Sequence, residues 1–173
     1  HGDKEIYVFN SRSASVGETL IGMKIRECEE KGMAFREVVA AVESYIQEQH
    51  TYFVLDNLDT LRKNGRLTGI KSFVASALNI KPVLGSTPQG TICQLGQARG
   101  ISRALAKMTD YIAKEAENTE EKVLAIAHCN CLERAKEVEH SLLRSIKVEA
   151  SFIVDTAGIS TMYANDGGVI VVI

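Results

Sequence analysis

Short apolar segments of strand length alternate with amphipathic helical patterns along most of this 173-residue chain. Strands are predicted where apolar and β-branched residues cluster in runs of five to seven, namely EIYVFN (5–10), TYFVL (51–55), KVLAIA (122–127), VEASFIV (148–154) and GVIVVI (168–173). Helices are predicted where apolar residues recur every three to four positions, namely from residue 16 to 30, from Phe35 to Ile46, from Ile101 to Ile112 and from Leu132 to Leu142. This alternation predicts an α/β (mixed α+β) fold, with helices packed on mixed sheets.

The middle of the chain departs from this regular pattern. A short helix is predicted in DNLDTLRKN, with Asp56 as its N-cap, and another over residues 69–79. The segments KPVLGST and TICQLG, joined by the turn sequence TPQG, predict a hairpin over residues 81–96. Because the alternation breaks near residues 64–80, we expect two small subdomains, 1–79 and 80–173, each with a mixed sheet flanked by helices.

Composition excludes several classes of protein. Hydrophobic residues at 45% and charged residues at 24% are ordinary globular values, and the net charge of −2 lacks the basic footprint of a nucleic-acid-binding protein. No apolar run approaches about 18 residues, so no transmembrane segment is predicted. Four cysteines in a chain of this size favour a reduced, cytoplasmic setting over a disulfide scaffold.

A serine-rich segment, NSRSASVGE, joins the first predicted strand to the first predicted helix. Ser15 and Glu18 match the S-x-x-E capping box, in which the serine hydroxyl accepts from the glutamate N–H and the glutamate side chain reaches back. The same helix start leaves free N–H groups that favour a bound carboxylate or phosphate. The charge of Glu18 would compete with such an anion. The segment is neither a P-loop nor a nucleophile elbow.

Other polar residues give weaker signals. His128, Cys129 and Cys131 follow a strand, but H-C-x-C lacks the second pair that a tetrahedral metal site needs, so no metal is expected. Arg66 and Arg99 are either surface charges or part of a positive patch for a phosphorylated ligand or an acidic partner. No pair of carboxylates indicates general acid–base catalysis.

Several strings resemble, in order and spacing, the pattern of one family across nearly the whole chain. YVFNSRSASVG is similar to the serine segment of the DegV family of bacterial fatty-acid-binding proteins, and FVLDNLDTLRKNGRL to the stretch that ends in its GRI motif. ALNIKPVL followed by GQARG resembles a third segment, and GGVIVVI lies where the strand region of the family's HTGPG motif belongs. The resemblance begins partway into the family pattern, so we expect a chain without the family's N-terminal segment, in which residues 1–79 are the remnant of a first α/β domain.

The resemblance implies a binding protein without catalytic residues or a cofactor. It implies that an acyl chain lies in an apolar tunnel, that hydroxyls hold its carboxylate, and that a separate fatty acid kinase phosphorylates it. Ser15 and Ser11 match the motif serines and would contact the carboxylate. Arg66 and Arg99 match motif arginines and, with Asn165, are candidates for a head-group or partner contact. Five apolar residues near the expected domain junction are predicted to line the tunnel, Phe53, Leu55, Phe73, Leu78 and Ile80.

Two departures from the family pattern affect the expected head-group site. Asn10 replaces an aspartate, and Ala164, followed by Asn165 and Asp166, stands where the family has a histidine. The site thereby loses a donor, and Asp166 would repel a carboxylate. Two alternatives therefore stay open, a degenerate site in a packing or protein-interaction domain and an enzyme acting on a small phosphorylated substrate.

Overall fold

The computed structural model describes residue 2 and residues 4–67 and 79–173. The helix predicted over residues 69–79 and the predicted tunnel residues Phe73 and Leu78 lie outside the described residues, apart from Asn79.

The described strands form one six-stranded sheet in the order β3-β2-β1-β6-β4-β5. The strands are β1 (Thr51–Val54), β2 (Ile80–Ser86), β3 (Ile92–Arg99), β4 (Val123–His128), β5 (Ala150–Asp155) and β6 (Val169–Val172). All neighbouring pairs are antiparallel except β4 and β5, which run parallel in register from Val123–Ala150 to His128–Asp155. The predictions of an α/β fold and of the 81–96 hairpin are confirmed.

The strands begin and end at two opposite ends of the sheet, which we name the Thr51 edge and the Val54 edge after the first and last residues of β1. At the Thr51 edge, β1 begins, β6 ends and the turn between β2 and β3 lies. At the Val54 edge, β1, β3 and β4 end while β2 and β6 begin. Loops that meet at one edge are therefore separated from those at the other by the length of β1, which is about 10 Å.

Helices cover both faces of the sheet. They are α1 (Val16–Glu30), α2 (Phe35–Glu48), α3 (Asp59–Lys63), α4 (Ile101–Glu115), α5 (Leu132–Leu143) and α6 (Gly158–Ala164). On the face to which Tyr52 and Val54 belong, α4 and α5 bury Met108, Ile112 and Leu142 completely. On the opposite face, α1 places Val16 and Leu20 against Ala125, Ala127 and Val172.

The structure forms no strand over residues 5–10, so that prediction is wrong. The segment lies on the α1–α2 pair, where Phe9 packs against Ile21, Val42 and Ile46 and the Tyr7 hydroxyl donates to Glu43. Ile6 and Val8 point outward and are 74% and 85% exposed. A strand needs a neighbour to take up its backbone hydrogen bonds, and no strand of the described residues lies beside this segment.

The short helices also differ from the prediction. Leu58, rather than Asp56, occupies the position before α3, and Asn57 Oδ1 accepts from the Asp59 N–H at 2.7 Å. The seven-residue helix α6 was not predicted, because it is too short to show a helical repeat and its Ile159 is 72% exposed.

Strands from both predicted subdomains belong to the same sheet, because β1 pairs with β2 on one side and with β6 on the other. Two separate sheets were expected, and the strands of the described residues form one. The division of the chain at residues 79 and 80 stays a prediction.

Candidate functional site

The segment Asn10–Ser15, the serine loop, lies at the Thr51 edge of the sheet. Ser13 Oγ and Thr51 Oγ1 share a hydrogen bond of 2.7 Å, and Arg12 Nη1 donates to the Pro88 carbonyl at 3.3 Å. At Gly90, which has a φ of +78°, a Cβ would stand 2.8 Å from Arg12 Cα, so only glycine permits this approach. The β2–β3 turn and the start of β1 thus hold the loop from two sides.

Two residues of the serine loop have left-handed backbone conformations. Arg12 has a φ of +50°, and Ser15 has a φ of +58° and a ψ of −127°. The Ser15 angles belong to the first central position of a type II′ turn, which glycine dominates, and the Gly17 N–H closes this turn on the Ala14 carbonyl at 3.2 Å. A non-glycine residue there costs about 1–3 kcal/mol, and such strain clusters at functional sites.

The side chains do not form the predicted capping box. Ser15 precedes α1 as predicted, but its hydroxyl makes no capping hydrogen bond, and the Glu18 N–H donates to the Ser15 carbonyl at 3.1 Å instead. The Glu18 carboxylate accepts from the Ser11 hydroxyl at 2.7 Å. The turn at Ser15 is the physical reason, because it offers the backbone carbonyl to the helix in place of the side chain.

The serine loop therefore holds three serines in different states. The Ser13 hydroxyl is hydrogen-bonded to Thr51 and the Ser11 hydroxyl to Glu18, whereas Ser15 is partly buried. Within the part of the chain that the structure describes, no hydrogen bond of the Ser15 hydroxyl is found. Ser15 is thus the serine with a hydroxyl free for a ligand.

An incompletely covered apolar surface, the apolar tract, extends from the Thr51 edge along β1. Phe53 and Ile170 are register partners on the two central strands, yet both are only partly buried. Ile92 and Leu67 are further partly buried apolar residues of the same cluster. On the opposite face of the same strands, Tyr52, Val54, Val169 and Val171 are at most 6% exposed. Phe53 and Ile170 thus place two partly exposed apolar side chains next to each other on the central strands, and such a surface suits an apolar ligand.

The other predicted tunnel residues lie around this tract. Leu55 belongs to the same cluster as Phe53 but is only 3% exposed, so it packs against the tract without forming part of its exposed surface. Ile80 begins β2 at the Val54 edge and is partly buried. Strand alternation places it on the face of Leu84, the register partner of Phe53.

The structure separates the predicted polar contacts into two groups. Asn165 lies at the Val54 edge, where its Nδ2 donates to the Asn57 carbonyl at 3.3 Å. Arg99 ends β3 at this same edge, and Arg66 follows α3; both side chains are exposed. Ser11 and Ser15 lie at the opposite edge with the rest of the serine loop. The arginines and Asn165 are therefore not brought together with the serines.

A charged network at the Val54 edge was not predicted. Asp56 Oδ2 accepts from Arg134 Nη1 at 2.9 Å, and Asp56 Oδ1 lies 3.2 Å from Lys81 Nζ. The Arg134 guanidinium also donates to the Gly167 carbonyl. These contacts join the ends of β1 and β2 to α5 and to the turn before β6. The residues are 25 to 78 positions apart in sequence, so no local pattern indicated them.

The second departure from the family pattern, at residues 164–166, lies just before β6. Ala164 is 1% exposed and packs with Leu55 and Leu61, so its methyl group fills a core position. Asp166 is exposed, and its Oδ1 accepts from Asn130 Nδ2 at 2.9 Å. The Asp166 carboxylate is thereby held at the Val54 edge, away from the serine loop.

A cleft of about 200 Å³ adjoins the serine loop. Its lining includes Arg12, Gln49, His50 and Thr87. Burial, together with the nearby positive charge of Lys122, lowers the pKa of His50 below its usual range, so this imidazole is neutral at pH 7. Among the described lining residues, Arg12 is thus the cationic group.

Comparison with known proteins decides the family. The model of the family described as "Uncharacterised protein, DegV family" matches residues 1–173. The chain belongs to the DegV family.

Three DegV relatives illustrate the similarity. A DegV protein of Ruminococcus gnavus, refined with vaccenic acid, is 68% identical with a TM-score of 0.96, over 100% of this chain and 62% of its own. The Fatty Acid Kinase (Fak) B3 protein of Streptococcus pneumoniae, loaded with linoleic acid, is 28% identical with a TM-score of 0.86, over 98% and 60%. A DegV domain-containing protein of Streptococcus pyogenes serotype M1 is 30% identical, over 95% and 58%.

The chain spans 54% to 60% of the length of the curated DegV relatives it matches. Among the described residues, no helix has the length and apolarity to cross a membrane.

Proposed function

We propose that the protein binds a long-chain fatty acid, with the acyl chain on the apolar tract and the carboxylate held by hydroxyls of the serine loop. The observation that carries the proposal is the 68% identity to the Ruminococcus gnavus protein, whose structure was refined with vaccenic acid. Burial of an acyl chain contributes about 0.8 kcal/mol per CH₂, so a surface with few polar groups suffices for affinity.

The positions of the two surfaces support this arrangement. Ser13 lies above Thr51, and Phe53 is the next residue of β1 on that face. Successive side chains on one face of a strand are about 7 Å apart, so a head group at the serine loop would have the tract directly beside it. The free hydroxyl and strained backbone of Ser15 make it the first candidate for the carboxylate contact, and Ser11 the second.

We further infer that the bound acid is presented to a separate fatty acid kinase, and that the protein itself performs no chemistry. The similarity to the Fatty Acid Kinase (Fak) B3 protein supports this role. Because Arg66, Arg99 and Asn165 lie at the edge opposite the serine loop, we assign them to a partner surface rather than to the head group. We expect the protein to act in the cytoplasm, and its four free cysteines agree with that expectation.

The test starts from the protein that contains this chain, purified and extracted with organic solvent for mass spectrometry. We expect an acyl species to co-purify, and vaccenic acid to bind to protein from which lipid has been removed. Ser15→Ala should weaken this binding about tenfold or more, because a hydrogen bond to a charged group contributes about 1.5–3 kcal/mol. Ser102→Ala, an exposed serine on α4, is the matched control and should bind as the wild type does.

The alternative of a degenerate site rests on Ala164, whose buried methyl group offers no donor where the family has a histidine. It makes the opposite prediction for the same experiment. If no acyl species co-purifies and added vaccenic acid does not bind, the fatty-acid proposal is wrong. If vaccenic acid binds equally well to the wild type and to Ser15→Ala, the serine loop does not hold the carboxylate.

A further inference from the structure

The Ser11 hydroxyl is already engaged by a carboxylate from the protein itself. Ser11 Oγ lies 2.7 Å from Glu18 Oε1, within the range of a charge-assisted hydrogen bond. A serine hydroxyl has a single proton to donate, and the Ser13 carbonyl, 3.3 Å from Ser11 Oγ, is a second and more distant acceptor for it. While that proton is directed to Glu18, Ser11 can accept a hydrogen bond from a ligand but cannot donate one.

Local geometry favours this contact. The turn at Ser15 directs the chain into α1 so that Glu18, in the first turn of the helix, faces back to the loop. The Ser13 N–H also approaches Ser11 Oγ, at 3.4 Å, and supports its position. Among the described residues Glu18 forms no ion pair with Arg12, whose Nη1 donates to the Pro88 carbonyl.

The consequence differs between ligands that share a chain but not a head group. An ionised carboxylate can only accept hydrogen bonds, so Ser11 can bind it only through the proton that Glu18 accepts, and the Glu18 charge repels it. A primary alcohol can donate as well as accept, and it carries no charge. The contact between Ser11 and Glu18 therefore penalises the acid and leaves the alcohol unaffected.

We propose that Glu18 is a specificity-determining residue, which withholds the Ser11 proton and so weakens binding of ionised fatty acids relative to uncharged lipids of the same chain. This inference rests on the proposed function, since it concerns the same serine loop. It assigns to one glutamate the choice between charged and neutral head groups.

The test measures the affinities of vaccenic acid and of the corresponding primary alcohol for delipidated protein. In Glu18→Ala, the affinity for vaccenic acid should rise about three- to tenfold, while the affinity for the alcohol should stay within twofold. Glu29→Gln, which removes the same charge from an exposed site at the other end of α1, should change neither affinity. Thermal unfolding of each variant shows that the fold is retained.

A double-mutant cycle then tests whether Glu18 changes the affinity for the acid through the Ser11 hydroxyl. In a Ser11→Ala background, Glu18→Ala should no longer raise the affinity for the acid by the full factor, because the proton that Glu18 withholds is absent. An unchanged ratio of acid to alcohol affinity in Glu18→Ala would overturn the inference while leaving fatty-acid binding intact. Failure of both ligands to bind to any variant would instead contradict the proposed function.

Discussion

At the scale of single residues, the serine loop shows a conflict between backbone and side chain at Ser15. Its φ of +58° lies where glycine is favoured, yet the position has a side chain with a free hydroxyl. Glycine would be more stable there, and the retention of a strained serine supports the proposal that its hydroxyl contacts a ligand.

Two replacements of Ser15 distinguish the effect of backbone strain on stability from the effect of the hydroxyl on ligand binding. Ser15→Gly should raise the free energy of unfolding by roughly 1 kcal/mol, because glycine adopts this φ without strain, whereas Ser15→Ala should not. Both variants remove the hydroxyl and should bind vaccenic acid equally weakly. Urea unfolding and ligand titration on the same samples measure the two effects. A stabilised Ser15→Gly variant that still binds like the wild type would show that the strain has no connection to the ligand.

At the scale of elements, the segment from Lys4 to Asn10 is extended but unpaired. Tyr7 and Phe9 face α1 and α2, and their rings meet edge to face with centroids 5.0 Å apart. Ile6 and Val8 alternate with them and face the solvent. An exposed extended segment with apolar side chains and free backbone groups promotes association between molecules.

The double variant Ile6→Lys with Val8→Lys should therefore be more soluble than the wild-type chain. Its free energy of unfolding should change by less than about 0.5 kcal/mol, because both side chains are largely exposed. Light scattering against concentration and urea unfolding measure these quantities. Phe9→Ala is the contrasting variant, which should lose stability because Phe9 packs on the helices. A loss in the double variant as large as that in Phe9→Ala would contradict the assigned orientation.

The sequence predicted the helices and strands better than it predicted the contacts between them. The helix predicted over residues 16–30 has those bounds in the structure, because a helix forms hydrogen bonds within its own segment. The segment 5–10 has the composition of a strand but lacks a neighbour, and strand formation depends on pairing with distant residues. The hydrogen bond between Ser11 and Glu18 likewise depends on the turn at Ser15, which no propensity for serine predicts.

At the scale of the whole molecule, the buried phenol of Tyr52 contributes to how stability changes at high pH. Burial raises the pKa of Tyr52 to about 12, and the nearby Tyr111 adds to the effect. The unfolded chain releases this proton near pH 10, about two units earlier. Below pH 10 both states are protonated and the contribution is fully present; it is lost progressively as the pH rises from about 10 to about 12, because the unfolded state binds fewer protons.

The contribution of Tyr52 can be isolated with Tyr52→Phe, which keeps the ring and removes the titrating group. Between pH 9 and pH 11 the wild type should lose about 1.4 kcal/mol of unfolding free energy more than the variant does. Urea unfolding of both proteins at the two pH values measures the difference. Parallel losses in the two proteins would show that Tyr52 does not titrate as its burial requires.

The strand order also fixes when the sheet can be completed. β6 is the last described element in the chain, yet it lies at the centre of the sheet between β1 and β4. Thr51 pairs with Val172 across more than a hundred residues, and contacts of such separation slow folding. During synthesis, the ribosome must therefore release residues 169–172 before β1 and β4 can be joined. Until then β1 and β4 lack the strand that lies between them, and unpaired strands of this kind favour aggregation during folding.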